Sequence, residues 1–426
     1  MIKLILAFFV LAGFNFGFWF IVGLMRYCTE RIFPRVLKKK TLRDIPSEEW
    51  TVCPHEVAAM VPAHNEEQSI ADTINALKAI LPAENIYIGS DASTDRTVEV
   101  GRLLRVNVID IRPNRGKARV LMYLLRGLYL ADRYKAVMIV DADAVVDKNY
   151  LKRALPLFND PDIVAIAGHG VTRWPTRHRF SWQNFFLAYR MRLWRVVQFG
   201  MRYGQTWKYT NVTYIVPGSP SMYRTSAIRH LQIDAPGLVI EDFNMTFELH
   251  HKKLGKIGYD PGVFGAHHDP YTFHDYVKQL ERWNLGFWQT FKRHGVWLSP
   301  FSLSTLLFSI ELYMFSIFIL FVPLMLWMFF FNGFSPIHIP ILIKGSLSYP
   351  FTFSDFIVGI FVTDYALTII AVLFEKKPAL LVYGLGFFFL RFVDAFIFVY
   401  SFPLAFIKKS DGRWASPTRA RLSATT

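Results

Sequence analysis

Cysteine is almost missing from this chain of 426 residues, which has only Cys28 and Cys53. That scarcity excludes a disulfide framework, and the spacing of the pair fits no zinc site. Acidic residues are also short, 33 against 48 lysines and arginines, for a net charge of +15. No nucleic-acid motif accompanies that charge, and the long apolar segments exclude a soluble nucleic-acid binder. There is no internal repeat. What the chain has in excess is apolar surface: 52% hydrophobic residues, with 40 Phe and 11 Trp. Such a content points to lipid-facing and interfacial surface. The basic residues cluster beside apolar runs, which makes a membrane surface the better explanation of the charge.

Residues 4–25 carry no charge and are long enough to span a bilayer. Only Lys3 precedes them, and "RYCTERIFPRVLKKK" follows. The basic flank places the following segment in the cytoplasm. No small-residue cleavage site ends the run, so residues 1–26 are expected to be a retained transmembrane anchor. Residues 44–298 have soluble composition. Strand-like runs at 56–61, 85–90, 106–111 and 135–140 alternate with helical patterns such as 66–80. That order implies an α/β fold with a mostly parallel sheet covered on both faces. Ligands in such sheets bind beyond the carboxyl ends of the strands. Residues 299–408 turn apolar again, with candidate spans near 303–331, 352–374 and 378–407. Residues 409–426 read as a basic cytoplasmic tail. Three spans would leave that tail on the far side. Either one stretch is interfacial or re-entrant, or the tail breaks the charge rule.

Polar motifs follow several strands. "VPAHNEE" (61–67) ends a strand, with Asn65 suited to cap the next helix. In "GSDASTD" (89–95), Asp91 would accept hydrogen bonds from a base or ribose, and Ser93 or Thr94 would cap a helix. In "PNRGKA" (113–118), Gly116 allows close backbone approach, and Arg115 and Lys117 suit a phosphate. "IVDADA" (139–144) sets Asp141 and Asp143 within reach of one hard divalent cation, Mg²⁺ or Mn²⁺, bridging two phosphates. In "VIEDFNMTFEL" (239–249), Asp242 suits a general base positioned by Glu241, or equally a helix N-cap. In "QLERW" (279–283), Gln279, Arg282 and Trp283 share one helix face. Trp offers a plate for a sugar ring and Arg a fork for a pyrophosphate.

Taken in order, these motifs resemble those of the membrane-integrated, processive family-2 glycosyltransferases, a group with cellulose, chitin, hyaluronan and poly-N-acetylglucosamine synthases. The resemblance covers residues 57 to about 295. It implies a GT-A (Rossmann-like) cytoplasmic domain between transmembrane helices, a UDP-sugar donor and a divalent metal, Mn²⁺ or Mg²⁺. By resemblance, Asp91 contacts the uridine, and Pro62, Ala63, Asn65, Glu66 and Lys117 line the substrate site. Asp141 and Asp143 match the Asp-X-Asp pair, with Asp143 the favoured metal ligand. Gly218, in "PGSPSMYR" (217–224), lies in the loop that helps place the acceptor. Gln279, Arg282 and Trp283 close over pyrophosphate and acceptor sugar. Asp242 is the base of an inverting transfer that gives a β-linkage. The sequence departs from the family at Ser90, where an acid is common, and at His64, where Tyr is usual. It also has one leading anchor, where several polymer synthases have two.

The expected protein is therefore a hexosyltransferase of a bacterial inner (plasma) membrane, catalytic domain cytoplasmic, extending a polysaccharide. UDP-N-acetylglucosamine is the expected donor. The alternative is transfer of one sugar to a lipid-linked acceptor. Partners would be a growing glycan or that acceptor, membrane lipids, and an accessory export subunit. Glu311, Asp355, Asp364, Arg391 and Asp394 fall in the apolar third. They either pair, with Arg391 and Asp394 at i, i+3 as one pair, or line a path for the glycan.

Overall fold

A computed structural model of the chain describes residues 13–175, 180–331, 353–410 and 412. Parts of the expected anchor (1–12), the segment 332–352 and most of the tail (413–426) lie outside these residues. Helix α1 (Phe14–Tyr27) leads into the domain. There follow β1 (Val57–Ala63), α2 (Ile70–Lys78), β2 (Ile86–Asp91), α3 (Thr97–Leu103), β3 (Asn107–Ile111), α4 (Lys117–Met122), β4 (Ala136–Ile139) and β5 (Val145–Val146). Next come β6 (Ile163–Thr172), α5 (Trp182–Val197), β7 (Ser221–Arg224), α6 (Glu241–His251), β8 (Lys256–His267) and α7 (Phe273–His294). Three long apolar helices close the chain: α8 (Pro300–Phe331), α9 (Phe353–Glu375) and α10 (Phe387–Ile407).

The strands form one sheet in the order β3-β2-β1-β4-β7-β6-β8-β5. Its first four members are parallel, as the β-α-β alternation predicts. Every residue of β1 is buried, because both faces are covered. Val57, Ala59 and Val61 pack toward Ile70, Ile74 and Leu77 of α2. Ala58 and Met60 point the other way, toward Val120 and Leu121 of α4. The period of two in side-chain direction thus builds two cores from one strand.

Register brings the chemistry to one edge. β7 runs antiparallel to β4, pairing Ile139 with Ser221, so β7 begins where β4 ends. β6 is antiparallel to β7 and parallel to β8, with Thr172 opposite His267. The carboxyl ends of β1, β2, β4 and β8 and the start of β7 therefore share one side of the sheet.

Several local expectations change. α2 follows Ser69, and Asn65 sits in the left-handed region at φ 54°, so Asn65 is no cap. Arg96, not Ser93 or Thr94, precedes α3, and Asp95 Oδ1 accepts from the Thr97 N–H at 3.0 Å. α6 starts at Glu241 after Ile240, so Asp242 lies inside its first turn and is not the N-cap. The apolar run 378–407 breaks into a short helix, Ala379–Gly384, and α10 after Gly386.

Two stretches, Pro300–Leu324 and Phe387–Ile407, are long and apolar enough to cross a membrane. Most residues of both stretches are not buried. Leu303, Leu307, Ile310 and Met314 form an exposed apolar stripe along α8. The described charged residues nearby have polar partners. Glu311 accepts from the Asn15 backbone N–H at 2.9 Å and ties α8 to α1. Asp364 is held by Arg192 Nη1 at 2.6 Å and Arg391 Nε at 2.8 Å. Arg391 thus pairs with Asp364 on another helix, not with Asp394, which accepts the hydroxyls of Tyr189 and Tyr276. A non-local partner outcompetes the i, i+3 neighbour because the helices meet there. The side chain of Asp355 lies outside the described residues.

Asp364→Asn leaves the buried Arg192 and its companion Arg391 without a counter-charge. The expected cost is about 3 kcal/mol or more, seen as a lower Tm with a parallel fall in all activity. A selective loss of product release at unchanged Tm would instead favour a glycan path.

Candidate active site

The turn after β1 and the turn after β2 are stitched together. The Asn65 N–H donates to Ser93 Oγ at 3.1 Å, and Asn65 Oδ1 accepts from the Thr94 N–H at 2.8 Å. The Glu66 N–H donates to Thr97 Oγ1 at 2.8 Å. Glu66 is buried, and its carboxylate accepts from Ser69. Pro62 and Ala63 lie buried within β1. These residues therefore shape the strand end. Asp91 also has partners within the protein. It is fully buried, and its oxygens accept the N–H groups of Arg115 and Gly116, each at 2.7 Å. Gly116 adopts φ 85°, which favours glycine. Asp91 thus fixes the turn that starts α4 and aims Lys117.

Lys117 is the centre of the acidic cluster. Its Nζ lies 2.8 Å from Asp141 Oδ1 and 3.0 Å from Glu241 Oε1. The sequence suggests a phosphate partner, but here the ammonium bridges two carboxylates. Burial alone would lower the Lys117 pKa, but Asp141, Glu241 and Asp242 outweigh it and hold the group well above its ordinary value. Burial likewise pushes Asp141 up, but Lys117, then His267 and Arg282, bring it below the usual carboxylate range. Asp242 goes the other way. Burial, reinforced by the Glu241 charge, raises its pKa to about 7. Its Oδ2 accepts the Gly218 N–H at 3.2 Å, and its Oδ1 the Phe243 N–H at 2.7 Å. A methyl on Gly218 would sit 2.9 Å from Lys117 Nζ and would push the ammonium aside. Ser219 Oγ accepts the Asp141 N–H at 2.9 Å and joins this loop to the end of β4.

Asp141, Asp143 and His267 have ligand atoms within 4.8 Å of one another, all half-buried. Two carboxylates with one imidazole suit Mn²⁺ or Mg²⁺. Asp141 Oδ1 faces Lys117, which leaves its second oxygen for a cation. His267 was not among the sequence candidates. The only signal was the pair "HH" at the end of an apolar strand-like run, and its partners are far away in sequence.

Gln279, Arg282 and Trp283 lie on α7. Arg282 is exposed, yet near enough to lower both Asp141 and Asp242. Gln279 and Trp283 instead engage Arg190 of α5, 2.7 Å from Gln279 Oε1 and 4.6 Å from the Trp283 ring centre. The three residues thus share a helix but not one set of partners.

The α/β sheet thus brings an Asp-X-Asp turn, a histidine distant in sequence and a buried carboxylate pair to one edge. Residues 136–335 match the glycosyl transferase family group 2, and the chain belongs to the family-2 glycosyltransferases. Uncharacterized proteins of Mycobacterium bovis and Mycobacterium tuberculosis are each 32% identical over 126 residues. Those matches span 28% of this chain and 30% of each relative. Protein RfbJ of Shigella flexneri is 32% identical over 91 residues, 21% of this chain and 67% of that protein. Among solved structures, a mannosyltransferase, PcManGT from Pyrobaculum calidifontis, in complex with GDP-Man and Mn²⁺, superposes at a TM-score of 0.48 and 16% identity. That superposition covers 86% of this chain and 97% of the other. Glucosyl-3-phosphoglycerate synthase from Mycobacterium tuberculosis covers 57% of this chain and 80% of its own, at a TM-score of 0.37 and 15% identity.

Proposed function

We propose that this chain is an inverting glycosyltransferase that moves a sugar from a UDP-sugar to a hydroxyl of a glycan at a membrane surface. The observation that carries the reading is one cluster: Lys117 bridges Asp141, which lies with Asp143 and His267, and Glu241, the neighbour of Asp242. The groups suited to a donor diphosphate and to an acceptor base are thereby brought together.

A divalent cation held by Asp141, Asp143 and His267 would supply charge neutralisation for the diphosphate. Asp242 would take the proton of the attacking hydroxyl as that oxygen bonds to the anomeric carbon. The bond to the diphosphate would break on the opposite face, with Arg282 placed to meet the negative charge. Glu241 keeps Asp242 basic, and the Gly218 N–H holds one of its oxygens in place. A base that titrates near neutrality matches its task at physiological pH. The rate should therefore fall as the pH drops below about 7, since protonated Asp242 cannot accept a proton. The check is kcat/KM from pH 5.5 to 8.5. A flat profile across that window would remove Asp242 as the base.

The apolar helices, their exposed stripe and the basic flank of α1 support a membrane location with the sheet on the cytoplasmic side. The "QLERW" motif supports chain extension, with N-acetylglucosamine as the favoured sugar. One feature favours the second reading, transfer to a lipid-linked acceptor. A cavity of about 400 Å³ lies among Trp182, Phe186, Tyr271, Phe273 and Phe389, walled almost wholly by apolar atoms beside α10.

The test is nucleotide release by the full chain in lipid nanodiscs with Mn²⁺ or Mg²⁺. UDP-GlcNAc, UDP-Glc, UDP-Gal and UDP-GlcA would be tried in turn. Release with a long product supports polymer extension. A short or lipid-linked product supports the second reading. No release from any donor refutes the UDP-sugar assignment.

A further inference from the structure

Three arginines of α5 face inward, and two of them have carboxylate partners. Arg192 meets Asp364, and Arg195 meets Glu375. Arg190 has none. It is fully buried, yet its Nε and Nη1 have no hydrogen-bond partner among the described residues. A nearby carboxylate, Asp394, is taken by the hydroxyls of Tyr189 and Tyr276 instead. Buried charges are normally paired, because desolvation is costly. Arg190 is held between two rings, 4.7 Å from the centre of Tyr276 and 4.6 Å from that of Trp283. Among the described residues, its one hydrogen bond runs from Nη2 to Gln279 Oε1 at 2.7 Å.

That bond has a geometric consequence. A guanidinium can only donate, so the amide oxygen of Gln279 must face it. The NH₂ of Gln279 is then turned away as a pair of donors, suited to sugar oxygens. Arg190 stacks on Trp283, and Trp194 packs against the same ring at 5.6 Å, so the indole is held in one orientation.

We propose that Arg190 is a positioning residue for the acceptor: it fixes the amide of Gln279 and the ring of Trp283 in the pose that receives the sugar. The inference rests on the glycosyltransferase reading above. Lysine at this position keeps the charge but loses the planar fork and the stack.

The experiment uses the full chain in nanodiscs, with the UDP-sugar that wild type turns over and chitotetraose or farnesyl phosphate as acceptor probe. Arg190→Lys should raise the acceptor KM about tenfold, the effect of one charge-assisted hydrogen bond. UDP affinity with Mn²⁺ should stay within about threefold of wild type. Gln279→Leu should have a similar effect, and the double variant should be no worse than either alone, because both remove one unit. An unchanged acceptor KM in Arg190→Lys, or full additivity of the pair, overturns the proposal. If Arg190→Lys does not fold, Gln279→Glu decides. It gives Arg190 a charge partner, keeps an oxygen toward it and removes the outward donors. Acceptor KM should then rise while Tm holds or increases, and an unchanged KM overturns the proposal. Wild type inactive with every donor and probe refutes the transferase reading, and the inference falls with it.

Discussion

Asp242→Asn is expected to lower sugar transfer by about 10³-fold, with nucleotide binding nearly unchanged. The substitution keeps the shape, and an amide oxygen can still accept the Gly218 N–H that Asp242 Oδ2 now takes. It removes the capacity to accept a proton. Donor binding should survive, because the ion pairs of Lys117 run to Asp141 and Glu241. Stability gives a second readout. The folded chain holds the Asp242 proton up to about pH 7, against an ordinary value of 3.8. Ionising it in the fold is therefore costly, and that cost grows as pH rises from about 4 to above 7. The Asn variant should match wild type in Tm at low pH and equal or exceed it at pH 8. The paired measurement is single-turnover transfer and UDP titration on the same preparation. Undiminished turnover would mean that another group takes the proton.

Asp143→Ala should abolish the Mn²⁺ dependence of UDP binding and weaken that binding by about 100-fold in the presence of metal. Asp141 and His267 alone leave a two-ligand set, too few to hold a hard cation against water. His267→Ala should move in the same direction, which would separate a true ligand from a bystander at the end of β8. Calorimetric titration of UDP with and without Mn²⁺ reads both variants. An Asp143 variant that keeps full metal dependence would dissolve the proposed centre.

The sheet was largely legible in the sequence. Runs such as "EVAAMV" and "KAVMIV" are short, apolar and bounded by turns, and local pattern suffices for strands buried on both faces. The acidic motifs were legible because they sit just after those strands. What sequence could not show was partnership across distance. His267 joins Asp141 through the register of β8, which no spacing reveals. Lys117 suited a phosphate by type, but the carboxylates it meets arrive on separate elements. Arg391 had an acid three residues away and pairs with one from another helix. Asn65 carried the residue type of a cap and instead clasps the next turn. In each case tertiary contact overrode a local preference.

Helix α1 is not a loose tether. Arg26 donates to the carbonyls of Tyr203 and Tyr259 at 2.7 and 3.1 Å, and Asn15 is fastened to Glu311. A flexible leash would let the catalytic sheet roam over a disc of membrane at varying height and tilt. A clamped helix acts as a strut. On the proposed membrane location, the orientation of that helix would be passed to the sheet, so the site would keep one standoff from the lipid. An acceptor whose reactive hydroxyl sat deeper or higher would then be rejected by altitude before any side chain reads it.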